Sequence, residues 1–202
     1  MEVHRYGARA LLVDLPADTH DPAAFALAAR SHFGDALVQA VPAEYSVLLA
    51  FRTSAAATVA QEQLADLNAD PDAAQGSELV EIPVTYDGPD LDTAARALAM
   101  SPDELIAVHT QTTFHVAFFG FAPGFAYLRG LPPRLHLPRR STPRTRVPAG
   151  AVAIAARYSA VYPQASPGGW HLIGHTDVVL FDPKRDAPSL LHPGCQVRFH
   201  DR

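Results

Sequence analysis

Apolar and polar positions repeat with different periods along this chain, and the change of period divides it. Arg9 to Leu15 alternates at period two and predicts a strand. Asp21 followed by Pro22 has the form of an N-cap with proline at the first helical position, and AAFALAARSHF continues a helical pattern until Gly34. Ala36 to Val41 and Tyr45 to Phe51 are apolar runs separated by Pro42-Ala43-Glu44, a hairpin-length break. Thr53 or Ser54 then caps a second helix expected to run to about Asn68, the polar loop DPDAAQGSE follows, and Leu79 to Thr85 predicts another strand. This order, βαββαβ, predicts a small ferredoxin-like layer of two helices on one antiparallel sheet, and its acids (Asp21, Asp70, Asp72, Asp90) read as caps and solvated loop positions.

A short helical piece from Asp90 to Ala99 comes next, and Ser101-Pro102-Asp103-Glu104 has the form of a capping box before LIAVHT. From Phe114 onward the period shortens to strands joined by glycine and proline turns. HVAFFGF, AVAIAA, WHLIGHT, VVLFD and QVRFH are the expected strands of a barrel or closed sheet. The fold class is therefore α+β, with an N-terminal α/β domain over 1–84 and a barrel-type domain over 85–202. Between the strands lies a segment, Ala122 to Gly150, with little repetitive pattern; a stretch of that length inside a compact domain is usually either functional or disordered, and its aromatics, prolines and lack of low complexity argue for order.

Charge sharpens the division. Residues 1–107 hold 5 Lys and Arg against 17 Asp and Glu, a net −12, whereas residues 108–202 hold 11 against 4, a net +7. From Leu105 to Thr176 there is no acid at all. The basic half suits an anionic ligand or an acidic partner, while the acidic total and the single lysine, Lys184, argue against nucleic acid. Apolar runs such as Ser46 to Phe51 fall far short of the roughly 18–20 residues that cross a bilayer, so no membrane span is expected. The first residues, MEVHRYGARALLVDL, lack the order of a signal peptide, and the lone Cys195 cannot form an internal disulfide; a cytoplasmic address is expected.

Several chemistries are disfavoured. The acid-free stretch offers no carboxylate pair, and His171 and His175 on one strand would stand roughly 13 Å apart, too far for one metal. No G-x-x-x-x-G-K-[ST] or G-x-S-x-G occurs. No catalytic residue is assigned, and no metal is expected to be bound.

Anion recognition remains. Arg139, Arg140, Arg144 and Arg146 crowd together with no acid nearby in sequence, so each must find a ligand, a second chain, backbone carbonyls or a distant Asp. Arg144 and Arg146, with Thr145 between them, are the candidates for holding a carboxylate or phosphate; Arg139 and Arg140 read first as solvated or structural. Ser166-Pro167-Gly168-Gly169-Trp170 is a turn entering a strand, whose glycines either bring backbone amides onto an oxygen or simply allow the turn, and Trp170 reads as a core anchor. Pro123 and Gly124 permit close backbone approach in the same two senses. His175 is either an acid–base group or a plain hydrogen-bonded histidine.

The segments GFAPGFAYLRGLP, TPRTRVPAGAVAIA, YPQASPGGWHLIGHT, LFDP and LLHPGCQVRF resemble the hallmark segments of the family variously called allophanate hydrolase subunit 1, carboxyltransferase domain subdomains C and D, KipI-like, or the B subunit of 5-oxoprolinase. The resemblance is dense from about Ile82 to Phe199. It departs from the family pattern at His115, where tyrosine is expected, at His175, where arginine is usual, and at Cys195, where aspartate is normal.

The resemblance implies a small α/β domain joined to a cyclophilin-like β-barrel. It implies work alongside a KipA-like partner (the C-type subunit of 5-oxoprolinase) and a lactam-processing A-type subunit, on a small lactam or amide, in an ATP-dependent opening of 5-oxoproline to glutamate. ATP is then used through the complex, with no metal or biotin bound by this chain. Two other roles also follow from the resemblance: an inhibitor of a sensor histidine kinase, and a component of a urea-carboxylase-type assembly with a biotin-bearing partner.

Overall fold

The computed structural model describes residues 1–16, 21–67, 69 and 78–202, which form two compact units, Met1–Gly76 and Ser77–Arg202. Asn68, Asp70 and Asp72 lie outside the described residues.

In the first unit, β1 (Glu2–Arg5), β2 (Ala10–Asp14), β3 (Leu37–Pro42) and β4 (Ser46–Phe51) form an antiparallel sheet in the order β1-β2-β4-β3. Helices α1 (Pro22–Phe33) and α2 (Ser54–Gln63) complete it. Both start where the sequence places a cap: Asp21 accepts from the Ala23 amide and Thr53 from the Ala56 amide. Period two in β2 and β4 turns Leu11, Val13, Val47, Leu49 and Phe51 inward, where they pack with Phe25 and Ala29 of α1 and Ala57 and Ala60 of α2. The split order expected of a ferredoxin-like layer is present, but its edge strand comes from β1. The strand expected to fill that edge, β5 (Leu79–Val84), runs parallel to β13 (Gln196–Asp201) in the second unit, from Leu79 opposite Gln196 to Val84 opposite Asp201. The division therefore falls before Ser77 rather than at 84/85. A six-residue apolar run specifies a strand but not the sheet that accepts it.

The second unit continues with α3 (Leu91–Ala97) and α4 (Pro102–Gln111). The capping box is realised at α4: Ser101 Oγ accepts from the Glu104 amide, and Glu104 returns the bond to the Ser101 amide. Then come β6 (Thr113–Phe119), β7 (Ala126–Arg129), β8 (Arg144–Val147), β9 (Ala151–Ala155), β10 (Tyr158–Val161), β11 (Ser166–Gly168), β12 (His171–His175) and β13. Six of these strands and β5 form one sheet, β12-β9-β10-β7-β6-β13-β5, while β8 and β11 pair as a separate ribbon. VVLFD, expected as a strand, is irregular apart from one bridge between Phe181 and Ser189.

The sheet curls until its two edges meet. Thr85, just past β5, exchanges two 2.9 Å backbone hydrogen bonds with His175 of β12, and the Gly88 and Asp90 amides donate to the Ile173 and Leu172 carbonyls. Glycine makes this seam possible: a Cβ on Gly174 would stand 2.6 Å from the Thr85 carbonyl oxygen, and one on Gly88 would overlap the Leu172 carbonyl. Gly174→Ala is expected to destabilise the second unit by about 1–3 kcal/mol, the usual cost of overpacking, measured as a shift in the urea midpoint without a change in slope.

Inside the barrel-like sheet, His109 of α4 is fully buried. It shares hydrogen bonds with the Tyr86 hydroxyl through Nδ1 (2.7 Å) and with Ser159 Oγ through Nε2 (2.9 Å), and its ring stacks on Phe199. Burial pulls its pKa down to about 3. Unfolded histidine takes up a proton near pH 6.5 whereas the folded one does not until about pH 3, so this site removes stability progressively as pH falls between those values. Urea unfolding from pH 7 to pH 4 should show that loss, and His109→Gln should flatten the dependence; an unchanged slope would place the acid sensitivity elsewhere.

Candidate functional site

Two features meet where α3, β12 and the ribbon converge. The first is a buried carboxylate. Asp90 is 3% exposed and caps no helix with its side chain. Its Oδ1 accepts from Arg140 Nη1 (2.6 Å) and Arg144 Nη2 (2.8 Å), and its Oδ2 from Arg144 Nη1 and the Leu172 amide, both at 2.8 Å. Burial alone would raise this carboxyl, but the Arg144 fork, the Leu172 amide and Arg140 together outweigh it and hold the pKa below the ordinary carboxylate value. Arg144, expected to grip a ligand, thus spends its planar fork on a distant aspartate in the bidentate geometry that arginine favours. Asp90, read from the sequence as a cap, is instead the post to which the arginine loop is tied.

The second feature is a small aromatic pocket of about 90 Å3, lined by Phe121, Phe125, Tyr127, Arg139, Tyr162, Gly168, Gly169 and Trp170. Its walls come from four segments. The Gly120–Phe125 loop turns tightly between β6 and β7, with Gly124 at φ 76° and Phe121 at φ 66°. A left-handed backbone is unusual for a bulky residue and marks a position that its surroundings hold in place. The Phe121 ring meets Phe125 and Tyr162 edge-on and is 59% exposed at the mouth. Phe125 sits at the centre, with edge contacts to Tyr127, Tyr162 and Trp170 as well.

The ribbon supplies another wall. Ser166 pairs with Val147 and Gly168 with Arg144, and the Arg140 amide donates to the Gly169 carbonyl at 2.8 Å. Gly168 has no room for a side chain, because a Cβ there would overlap the Tyr162 hydroxyl. Burial raises the pKa of that hydroxyl, with help from Tyr127 and against the opposing pull of the Trp170 amide, Arg139 and Arg144. Arg139 is exposed and has no carboxylate partner among the described residues, and Arg146 shares that condition. Ser166 Oγ and Arg140 Nε are shielded from solvent with no hydrogen-bond partner among the described residues.

The expected site residues therefore divide. Gly168 and Gly169 line the aromatic pocket, while Ser166, Arg144, Thr145 and Arg146 lie on the adjoining ribbon. Pro123 and Gly124 line a wider apolar groove of about 720 Å3 between residues 119–124 and 187–193. His175 belongs to neither; it stands at the far end of β12 in a 2.7 Å bond to Asp87. Cys195 is fully buried with its thiol pKa pushed up by burial, the state of a packing residue. Sequence reasoning read Asp90 as a cap and Arg139 first as solvated or structural, and it did not single out Tyr162. The available signal was the density of aromatics from Phe118 to Trp170 within the acid-free stretch.

Geometry of this kind defines a class: an α+β protein whose barrel-like sheet carries a small aromatic, arginine-edged pocket. Residues 1–191 match the family model for the carboxyltransferase domain, subdomains C and D, and the chain belongs to that family. It is 51% identical over 126 residues to the B subunit of 5-oxoprolinase from Escherichia coli O157:H7, covering 61% of this chain and 58% of that protein. It is 44% identical over 142 residues to the protein of the same name from Bacillus subtilis (strain 168), covering 69% and 58%. The chain thus spans 58% of the length of each of these relatives. The crystal structure of TTHA0988 superposes with a TM-score of 0.80 at 36% identity over 96% of this chain and 40% of that one. The Kluyveromyces lactis urea carboxylase shares the fold, with a TM-score of 0.71 at 21% identity over 99% of this chain and 21% of that one.

Proposed function

We propose that this chain acts as the B-type subunit of a heteromeric, ATP-dependent 5-oxoprolinase, contributing ligand recognition rather than a complete catalytic centre. The observation that carries the reading is the pocket itself: aromatic walls, a tyrosine hydroxyl, and an arginine with no carboxylate partner among the described residues. Such a site suits a small planar acid. The names of the relatives at 51% and 44% identity support the lactam as its occupant.

The remaining chemistry is assigned to partners, a KipA-like C-type subunit and a lactam-processing A-type subunit. Nucleotide use belongs to the assembled complex, because this chain has no glycine loop ending in lysine, and Lys184, its single lysine, is exposed. Within the chain, residues around the pocket hold the substrate's charge and carbonyl and exclude water from one face of it. The apolar groove beside Pro123 and Gly124, with Phe121 at its rim, suits a protein surface and also accommodates the alternative role of docking on a sensor kinase. Mixing the three proteins and following phosphate release from ATP, with and without 5-oxoproline, tests the reading. Release that needs every component and the lactam, with glutamate formed, is the expected result. A stable complex with no response to the lactam would overturn it in favour of the docking role.

A further inference from the structure

We propose that the aromatic pocket is by itself a binding site for a small planar lactam or amide bearing a carboxylate, with Arg139 and not Arg144 as the residue that reads the carboxylate. The inference rests on the functional reading above for the lactam and on the pocket for everything else.

Shape comes first. Phe125, Tyr127, Tyr162 and Trp170 present rings on several sides of a space of about 90 Å3, far below the roughly 300 Å3 at which pockets for drug-sized ligands begin. Only a compact molecule, or one flat end of a larger one, fits there, and flat faces pack best against rings. Charge comes second. Of the four arginines between 139 and 146, two are tied to Asp90, and Arg146 is not among the residues that line the pocket. Arg139 alone combines an open guanidinium fork with a place on the wall. It therefore supplies the two-point contact to an anion that the Asp90 pairing denies to Arg144.

Polarity comes third. Tyr162 lines the same space, with its hydroxyl beside Gly168, and a phenol O–H can donate. A ligand with its carboxylate on Arg139 can thus present a carbonyl oxygen to Tyr162. Gly168 completes the arrangement, because any side chain there would displace that hydroxyl.

Trp170, the only tryptophan of the chain, lines the pocket and provides a direct readout. The full chain is titrated with 5-oxoproline, with 2-pyrrolidinone (a lactam without the carboxylate) and with proline (a carboxylate without the lactam carbonyl), following Trp170 emission and calorimetric heat. Saturable binding of 5-oxoproline is expected, with each analogue weaker by roughly tenfold or more, the effect of losing a charge-assisted or buried hydrogen bond. Arg139→Gln should erase the preference for 5-oxoproline over 2-pyrrolidinone while leaving the weak affinity for 2-pyrrolidinone and the circular dichroism spectrum unchanged. Equal binding of 5-oxoproline and 2-pyrrolidinone by the parent chain, or an undiminished preference in Arg139→Gln, overturns the assignment. If the complex turns over the lactam while the chain alone gives no saturable signal, the pocket assignment fails and the 5-oxoprolinase reading stands. Binding by the chain with no lactam-dependent phosphate release gives the converse: the pocket assignment stands and the 5-oxoprolinase reading fails.

Discussion

Replacing Asp90 by alanine is expected to lower the stability of the second unit by about 3 kcal/mol and its Tm by roughly 10 °C. The figure sits at the low end of the 3–5 kcal/mol usual for breaking a buried ion pair for a structural reason. The side chains of Arg140 and Arg144 keep 32% and 25% exposure, so water can reclaim part of each guanidinium once the carboxylate is gone. The Leu172 amide has no such recourse; it is buried and would lose its acceptor. Arg144→Ala should move stability in the same direction, and the double variant should cost less than the two singles together because both remove one interaction. Thermal melts of the three proteins decide the matter. An Asp90→Ala chain that melts with the parent would show that the loop is held by the ribbon alone and that Arg144 is free for a ligand after all.

Phe125→Ala should have an effect of similar or greater size, about 3–5 kcal/mol, because a fully buried ring in contact with four other aromatic rings leaves a cavity its neighbours cannot fill. It should also redden Trp170 emission, since that ring would lose its edge contact and gain water. Phe125→Leu separates the two consequences: much of the volume returns, so stability should recover by more than half, while the flat wall facing the pocket does not. A truncation that changes neither melting nor emission would mean that the aromatic cluster packs independently of Phe125.

How far the sequence announced this molecule depended on whether each signal was local. The capping box at Ser101 and Glu104 and the caps at Asp21 and Thr53 are all realised, because the bonds involved span two or three residues and the chain can specify them unaided. Strands β9, β12 and β13 were visible as apolar runs. Strands β7 and β8 were not, since four residues are too few to display a period, and they fell inside the stretch that read as structureless. The assignment of β5 to the first domain failed because its partner, β13, is at the opposite end of the chain.

The same limit governed the site. The missing acid between Leu105 and Thr176 indicated that the clustered arginines must find partners elsewhere, and a distant aspartate was one of the options. Nothing local could single out Asp90, which stands fifty-four residues from Arg144 and looks like an ordinary cap. The ribbon between β8 and β11 brought together most of the expected polar residues. The pocket's aromatic walls were each visible and each explicable as core, and only the fold converges them on one space.

The seam that closes the sheet has a consequence for how the protein is made. As the chain emerges from the ribosome, β5 appears well before its neighbours, since Gln196 opposite Leu79 and His175 opposite Thr85 lie far downstream of it. At 5–20 residues per second the first strand waits on the order of 10 s for its neighbours. During that interval its apolar face, with Ile82 and Val84, has no sheet to join. Closing the sheet of the larger unit thus waits on a few pairings of high sequence separation, and such pairings slow folding. Loss of the last strand would leave β5 an orphan edge, open to pairing with another copy of itself.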